Sequence, residues 1–296
     1  MNLTEAKSRI AALSSDNAIL SPLDLESFCS DVIEMPRSDD TLTERQWAYE
    51  QLIMLRNQQG RPARATRVYR QYLEGCAPAC DADYDRLYHE GLAATGTPPT
   101  PLRRRDRFYS LVQLFRKTAA LEGLVAECGC FRGLSSYLLC SAIKLVQPGF
   151  DGQGYRIFDS FEGLSAPQVE DDVDASAADA ELLRNMTRKG QYAAPLDRVK
   201  AALSPFPKIE YFPGWIPHAF PDESDQRYRF VHVDVDIYQP TRDSIEYFYP
   251  RLVSGGILVC DDFNWPGARK AIAQICEKLG ATYATTAYTQ AYLLHP

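Results

Sequence analysis

The chain has 296 residues, 45% hydrophobic and 24% charged, with a net charge of −7 at neutral pH. That suffices for one sizeable α/β core plus an appendage, and the acidic balance argues against nucleic acid as a partner. The N-terminus lacks a charged stretch leading into an apolar one, and no apolar run reaches the roughly 18 residues of a membrane span, so a cytoplasmic location is expected.

Residues 1–100 read as helix and turn. Ser21 is a plausible N-cap, with Pro22 at the first helical position. Thr41 to Arg56 is amphipathic, with Trp47, Leu52 and Leu55 on one stripe; Gly60 ends it, and Pro62 to Leu73 reads as a partner helix. Together they resemble a single tetratricopeptide hairpin around 41–78, although an ordinary helical extension fits one unit better than a peptide-binding array. Cys76-x3-Cys80 has no matching ligand pair, which disfavours zinc, and the Asn185 sequon carries no weight without secretion. Cys128, Cys140 and Cys260 sit in apolar surroundings, as small buried hydrophobes do. The breaker-rich run Gly96 to Pro101 then divides this region from residues 101–296.

Beyond it the pattern alternates between helix and strand. A helix is predicted over Arg107–Leu121, and the arginines at 103, 104, 105 and 107 read as a solvated helix face. Apolar strands follow at Leu124–Glu127, Tyr155–Phe158, Ile209–Phe212, Tyr228–Val235 and Gly256–Cys260, with helices over Ser135–Val146, Leu196–Leu203, Thr241–Leu252 and Ala268–Leu279. Uninterrupted apolar strands suit a parallel sheet covered on both faces. The last two strands, Thr282–Ala287 and Ala291–Leu294, are too close for a helical crossover and must run antiparallel. The expected fold is a doubly wound α/β sheet of the class I methyltransferase kind, with five parallel strands, a C-terminal antiparallel hairpin and an α-helical N-terminal extension. Residues 165–192, acidic at Glu170 to Asp174, read as an insertion over the strand ends, either a lid or a plain surface loop.

Two features carry chemistry. Glu127-Cys-Gly129-Cys-Phe-Arg-Gly133-Leu-Ser135-Ser136 joins a strand to a helix through an E-x-G-x-x-x-G turn, wider than the pyrophosphate-binding turn of dinucleotide folds. Ser135 and Ser136 could cap the helix. Asp159 ends the next strand, where an acid can accept hydrogen bonds from ribose hydroxyls. Glu127, Gly129, Cys130, Arg132, Gly133, Ser135, Ser136, Asp159, Ser160 and Phe161 are therefore candidate contacts for a nucleoside-type cofactor, with Trp215 a candidate wall. The second feature is acidic: Asp234-Val-Asp236 and Asp261-Asp262 both stand where a strand runs out, the crevice in which open α/β sheets bind ligands. Carboxylates gathered there repel unless protonated or bridged by a hard cation such as Mg2+. Asp234 and Asp236 are candidate proton acceptors, with His218 a weaker one; His232, alternating on a buried strand, reads as structural.

These motifs, with Pro213-Gly-Trp, Tyr249-Pro-Arg-Leu, Gly255-Gly256 and Pro266-Gly-Ala-Arg269, resemble the macrocin O-methyltransferase family over about residues 105–296. The resemblance implies S-adenosylmethionine as methyl donor, Glu127, Gly129, Ser135 and Asp159 as its contacts, and Asp234, Asp261 and Asp262 as Mg2+ ligands with Asp234 also the base. It further implies a homodimer and a hydroxyl acceptor on a natural product, most simply a sugar. Two other readings stay open: a catechol-type enzyme using the same metal logic on phenols, and a noncatalytic scaffold whose working part is the helical N-terminal region.

Overall fold

The computed structural model describes residues 1–14, 20–35, 42–59, 68, 81–98, 102–171, 186–222, 225–286 and 289–296. The chain forms two compact units, Met1–Asp85 and Arg86–Pro296. In the first, helices α1 (Leu3–Ser14), α2 (Pro22–Ile33) and α3 (Leu42–Gln58) bury Ala6, Phe28, Cys29, Val32, Ala48 and Leu52 in one cluster. Helix α2 starts as its sequence indicates: Ser21 Oγ accepts from the Asp24 amide at 3.2 Å, and Pro22 occupies the first turn. On α3, Leu52 and Leu55 are buried and Trp47 half-buried. Of the partner helix expected over Pro62–Leu73 only Val68 is described, and the cysteines at 76 and 80 and Asn185 lie outside the described residues. Helix α4 (Ala82–Thr95) contains the division between the units.

The second unit is an α/β sheet. Its strands are β1 (Leu124–Cys128), β2 (Tyr155–Asp159), β3 (Glu210–Pro213), β4 (Tyr228–Val233), β5 (Leu252–Cys260), β6 (Tyr283–Thr285) and β7 (Ala291–Leu294). Among the described residues they lie in the order β3-β2-β1-β4-β5-β7-β6. Strands β1 to β5 pair in parallel, while β7 runs antiparallel to both β5 and β6. Helices α5 (Leu102–Arg116), α6 (Leu134–Val146), α7 (Leu196–Ala202), α8 (Tyr238–Phe248) and α9 (Pro266–Leu279) accompany the sheet. All six residues of β4 are buried, as a central parallel strand requires. The core gathers Ala126, Phe158, Val231, Phe248, Leu258 and Ile272 from strands and helices alike. Phe158 stacks on Phe212 at 4.6 Å between ring centres, and Phe115 of α5 meets Phe230 edge-on at 5.1 Å. No described helix is long and apolar enough to cross a membrane.

The elements expected in this unit are present. Helix α8 runs Tyr238–Phe248 rather than Thr241–Leu252, and the boundaries of α5, β4 and β5 moved for physical reasons. Helix α5 starts at Leu102 and stops at Arg116, because the Thr118 amide and hydroxyl both bond back to the Phe115 carbonyl (2.9 and 2.8 Å) and close it. Its first turn thus carries Arg103, Arg104 and Arg105. Strand β4 ends at Val233, not Val235, because Asp236 takes a left-handed conformation (φ 59°) that no strand can contain. Strand β5 begins at Leu252 rather than Gly256; Tyr228 pairs with Leu252 but Phe230 with Ile257, an irregularity that lets Ser254, Gly255 and Gly256 bulge within the strand.

Candidate active site

The strand ends are level. Beyond the pairings proper, the Gly129 amide donates to Phe158 O (2.9 Å), the Asp234 amide to Cys128 O (2.8 Å) and the Asp261 amide to Val233 O (2.9 Å). Gly129, Asp159, Asp234 and Asp261 therefore leave the sheet side by side. At Gly129 the backbone has φ 79°, and an added Cβ would collide with the Asp234 carbonyl oxygen, so only glycine lets the two strand ends approach. Above this edge opens a cavity of about 550 Å³ whose lining includes Gly129, Asp159, Trp215, Asp234, Asp236 and Asp262.

On the glycine side, Asp159 organises the turn. Its Oδ2 accepts from the amides of Cys130 (2.7 Å) and Phe131 (3.3 Å), and its Oδ1 from that of Phe161 (2.7 Å). Ser160 lines the cavity, its hydroxyl donating to Gly163 O (2.7 Å), and Trp215 Nε1 donates to the same carbonyl (3.3 Å). Phe131 also lines the cavity, and the remaining turn residues face elsewhere. Phe161 and Cys130 are buried outside the lining, and burial with the nearby Asp159 charge pushes the Cys130 thiol well up. Arg132 donates to Gly96 O at 2.6 Å. Gly133 itself is the N-cap of α6, with φ 89° and no side-chain cap, so Ser135 and Ser136 do not cap; both are buried.

Glu127 is likewise an interior group. It is fully buried, accepting from the hydroxyls of Ser136 and Tyr155 (3.0 Å for the latter) and facing His232 Nδ1 at 2.9 Å. The far side of that imidazole, Nε2, stands 3.4 Å from Asp261 Oδ1. Burial opposes charge on His232, but the hydrogen bond and charge of Asp261, aided by Glu127, outweigh it and push its pKa up to about 10. An imidazolium thus lies between two carboxylates beneath the cavity floor. His232 is fully buried on β4 and outside the cavity lining.

The acidic side divides in two. Asp261 is buried, accepting from Gln290 Nε2 at 2.6 Å, while Arg107 Nε stands 3.0 Å from its Oδ2. Burial alone would raise its carboxyl, yet Arg107, His232 and Gln290 hold it well below the usual range. It is absent from the cavity lining, although it offers a ligand atom within 4.8 Å of those of Asp234 and His232; among the described residues the expected trio of Asp234, Asp261 and Asp262 is not gathered as one such group. Asp234, Asp236 and Asp262 do face the cavity, and together they offer oxygens all within 4.8 Å of one another. His232, Asp234 and Asp261 meet the same limit, but two of the three are buried under the floor. The Asp236 amide donates to Asp262 Oδ2 at 3.1 Å, which its left-handed backbone makes possible. Burial first and mutual repulsion second raise Asp234 and Asp262, and bring Asp236 to about 7. Three stressed carboxylates around an opening are a fitting donor set for a hard divalent cation.

His218 is exposed on the segment after β3 and outside the lining, so the structure does not bring it to the carboxylates. Sequence reasoning also missed residues. Arg104 and Arg107 line the cavity, and Arg107 Nη1 stands 3.8 Å from Asp262 Oδ1. The signal for Arg107 was its spacing, one turn before Leu111 on the buried stripe Phe108, Leu111, Val112 and Phe115. Both ends of the 165–192 segment reach the cavity through Ser165, Met186, Gln191 and Tyr192. The ends are joined: the Leu164 amide donates to Gln191 O and the Gly190 amide to Leu164 O, each at 2.9 Å. Residues 172–185 between them lie outside the described part.

Strand order and site together define a class I methyltransferase fold. Solved structures agree on the fold: the O-methyltransferase NovP superposes with a TM-score of 0.56 at 17% identity, over 72% of this chain and 99% of its own. The calicheamicin methyltransferase CalS11 gives 0.53 at 19% identity, over 74% and 93%. Residues 100–284 match the model of the macrocin-O-methyltransferase (TylF) family, and the chain belongs to that family. Similar curated proteins include the 8-demethyl-8-(2,3-dimethoxy-alpha-L-rhamnosyl)-tetracenomycin-C 4'-O-methyltransferase of Streptomyces olivaceus, 30% identical over 51% of this chain and 57% of that protein. The mycinamicin III 3''-O-methyltransferase of Micromonospora griseorubida is 27% identical over 54% of this chain and 63% of its own length. The matches thus span about three-fifths of these relatives.

Proposed function

We propose that this protein transfers a methyl group from S-adenosylmethionine to a hydroxyl on the sugar of a glycosylated natural product, with a divalent cation, Mg2+ in the simplest case, at the acidic wall. The observation that carries the reading is the juxtaposition of the glycine turn and Asp159 with three outward carboxylates in one cavity. Both curated relatives are named as position-specific O-methyltransferases, one of a rhamnosyl-tetracenomycin and one of mycinamicin III, which supports a glycosylated natural-product acceptor. A homodimer, implied by the family resemblance, and the cytoplasmic location expected from the sequence belong to the same proposal; the dimer is checked by sedimentation.

Bound in the cavity, the donor would supply an electrophilic sulfonium methyl and the cation a means of acidifying the acceptor hydroxyl. The protein's own part is placement and proton transfer. Gly129 and the Asp159-braced turn form the wall against which the nucleoside end fits, and Trp215 flanks it. Asp234, Asp236 and Asp262 would hold the cation, and Asp234 or Asp236 would take the proton that the acceptor hydroxyl gives up on methylation. Asp261, His232 and Glu127 brace the floor from below, while Arg107 lines the cavity beside Asp261 and Asp262.

Asp234→Asn should lower turnover by at least about a hundredfold while leaving S-adenosylhomocysteine affinity within about tenfold. Mass spectrometry of glycosylated and catechol acceptors incubated with the donor reads the product. Full activity in excess EDTA would remove the cation from the scheme, and methylation of catechols alone would replace the sugar reading.

A further inference from the structure

Helices α8 and α9 begin directly after the two acidic segments, and neither start is capped by its own sequence. The N-cap residues are Ile237 and Trp265, and neither makes a side-chain cap bond. Open helix starts leave amide groups without partners. One carboxylate from elsewhere reaches both. Asp171, ending the short 3-10 helix Val169–Asp171, accepts from the Tyr238 amide at 2.7 Å through Oδ1, at the first residue of α8. Its Oδ2 accepts from the Gln168 amide at 2.8 Å and so is tied to its own turn. At the start of α9, a Cβ built on Gly267 would overlap Asp171 Oδ1, so that helix presses against the same carboxylate. Gly267 has ordinary helical backbone and no conformational need to be glycine; the space taken by Asp171 is what excludes a side chain.

We propose that Asp171 is a positioning residue for the acidic wall. By accepting from α8 while seated against α9, it sets the separation between the Asp234–Asp236 segment and Asp262. A carboxylate at helix starts is also favoured by their partial positive charge. The position comes from the hydrogen bond and the fit, so an asparagine, which keeps an acceptor oxygen there, replaces it. The functional half of this inference rests on the proposed cation site, but the structural half does not.

The test uses the full chain, with Mn2+ alone as the probe and amide hydrogen exchange at Tyr238 as the local readout. In Asp171→Ala, Tyr238 should exchange at least about tenfold faster and Mn2+ bind at least about fivefold more weakly, with Asp171→Asn within about twofold of wild type on both. Gly267→Ala should reproduce the Asp171→Ala defect by displacing the carboxylate. Combined with Asp171→Ala it should add nothing further, because there is no longer a carboxylate to displace. Unchanged Tyr238 exchange in Asp171→Ala, an asparagine variant as defective as alanine, or fully additive effects would each overturn the proposal. If the wild-type protein takes up no Mn2+, the cation reading fails, and Tyr238 protection in the same variants decides the placement of Asp171.

Discussion

Gly129 carries two constraints at once: a left-handed backbone and a carbonyl from another strand where its side chain would be. Gly129→Ala should therefore cost about 2 kcal/mol or more in urea denaturation, and calorimetry should show S-adenosylhomocysteine bound at least about tenfold more weakly. The need for glycine was legible in the E-x-G-x-x-x-G spacing; the carbonyl that enforces it belongs to β4 and was not. The acidic residues show the same limit. Their type and position at strand ends marked them as a site, and Asp234, Asp236 and Asp262 do face the cavity. Spacing could not tell which of Asp261 and Asp262 looks out, because that depends on the partners waiting inside: Arg107, Gln290 and His232. Glu127 and Ser136 were read as ligand contacts for the same reason, and instead they satisfy each other beneath the surface.

Among the elements, α5 is the one whose reading changed most. Placed at Leu102–Arg116, it turns a supposedly solvated arginine face into a contributor to the site, because Arg107 lies on the stripe that packs down. Leu111, fully buried one turn later, anchors that stripe. Leu111→Ala should lower stability by about 2 to 5 kcal/mol, read as a shift in the urea midpoint at constant slope. Strand and helix types elsewhere were readable from apolar runs and 3.6-residue periodicity. Boundaries were less so, since Thr118 ending α5, the bulge in β5 and the left-handed turn at Asp236 are each set by a backbone bond or conformation that periodicity does not record.

For the molecule as a whole, the buried charged groups make stability depend on pH. Asp236, raised from 3.8 to about 7 by burial and Asp234, stabilises the fold below its unfolded pKa, and that contribution is lost as pH rises through 7. His232 stays charged despite its burial because of Asp261 and Glu127; raised from 6.5 to about 10, it contributes fully below 6.5 and loses that contribution on the way to 10. Asp261, depressed by Arg107 and its other partners in spite of burial, acts in the opposite sense and withdraws its contribution in acid. Without divalent ions the melting temperature should therefore peak between about pH 4 and 6 and fall toward pH 9, with saturating Mg2+ reducing the fall that Asp236 causes. Calorimetry across that range checks it; a melting temperature still climbing at pH 9 would contradict the assigned charges.

By itself the sequence determined the sheet, its parallel strands and final hairpin, the glycine turn and the presence of acids at the strand ends. Those properties follow from local periodicity, turn chemistry and residue type, which neighbouring residues specify among themselves. Tertiary structure alone decided which carboxylates open to the cavity, that Arg107 and His232 neutralise the one that does not, and that Asp171 joins two helix starts. Each depends on residues far apart in the chain meeting at one place, and burial there sets the charge and direction of every group.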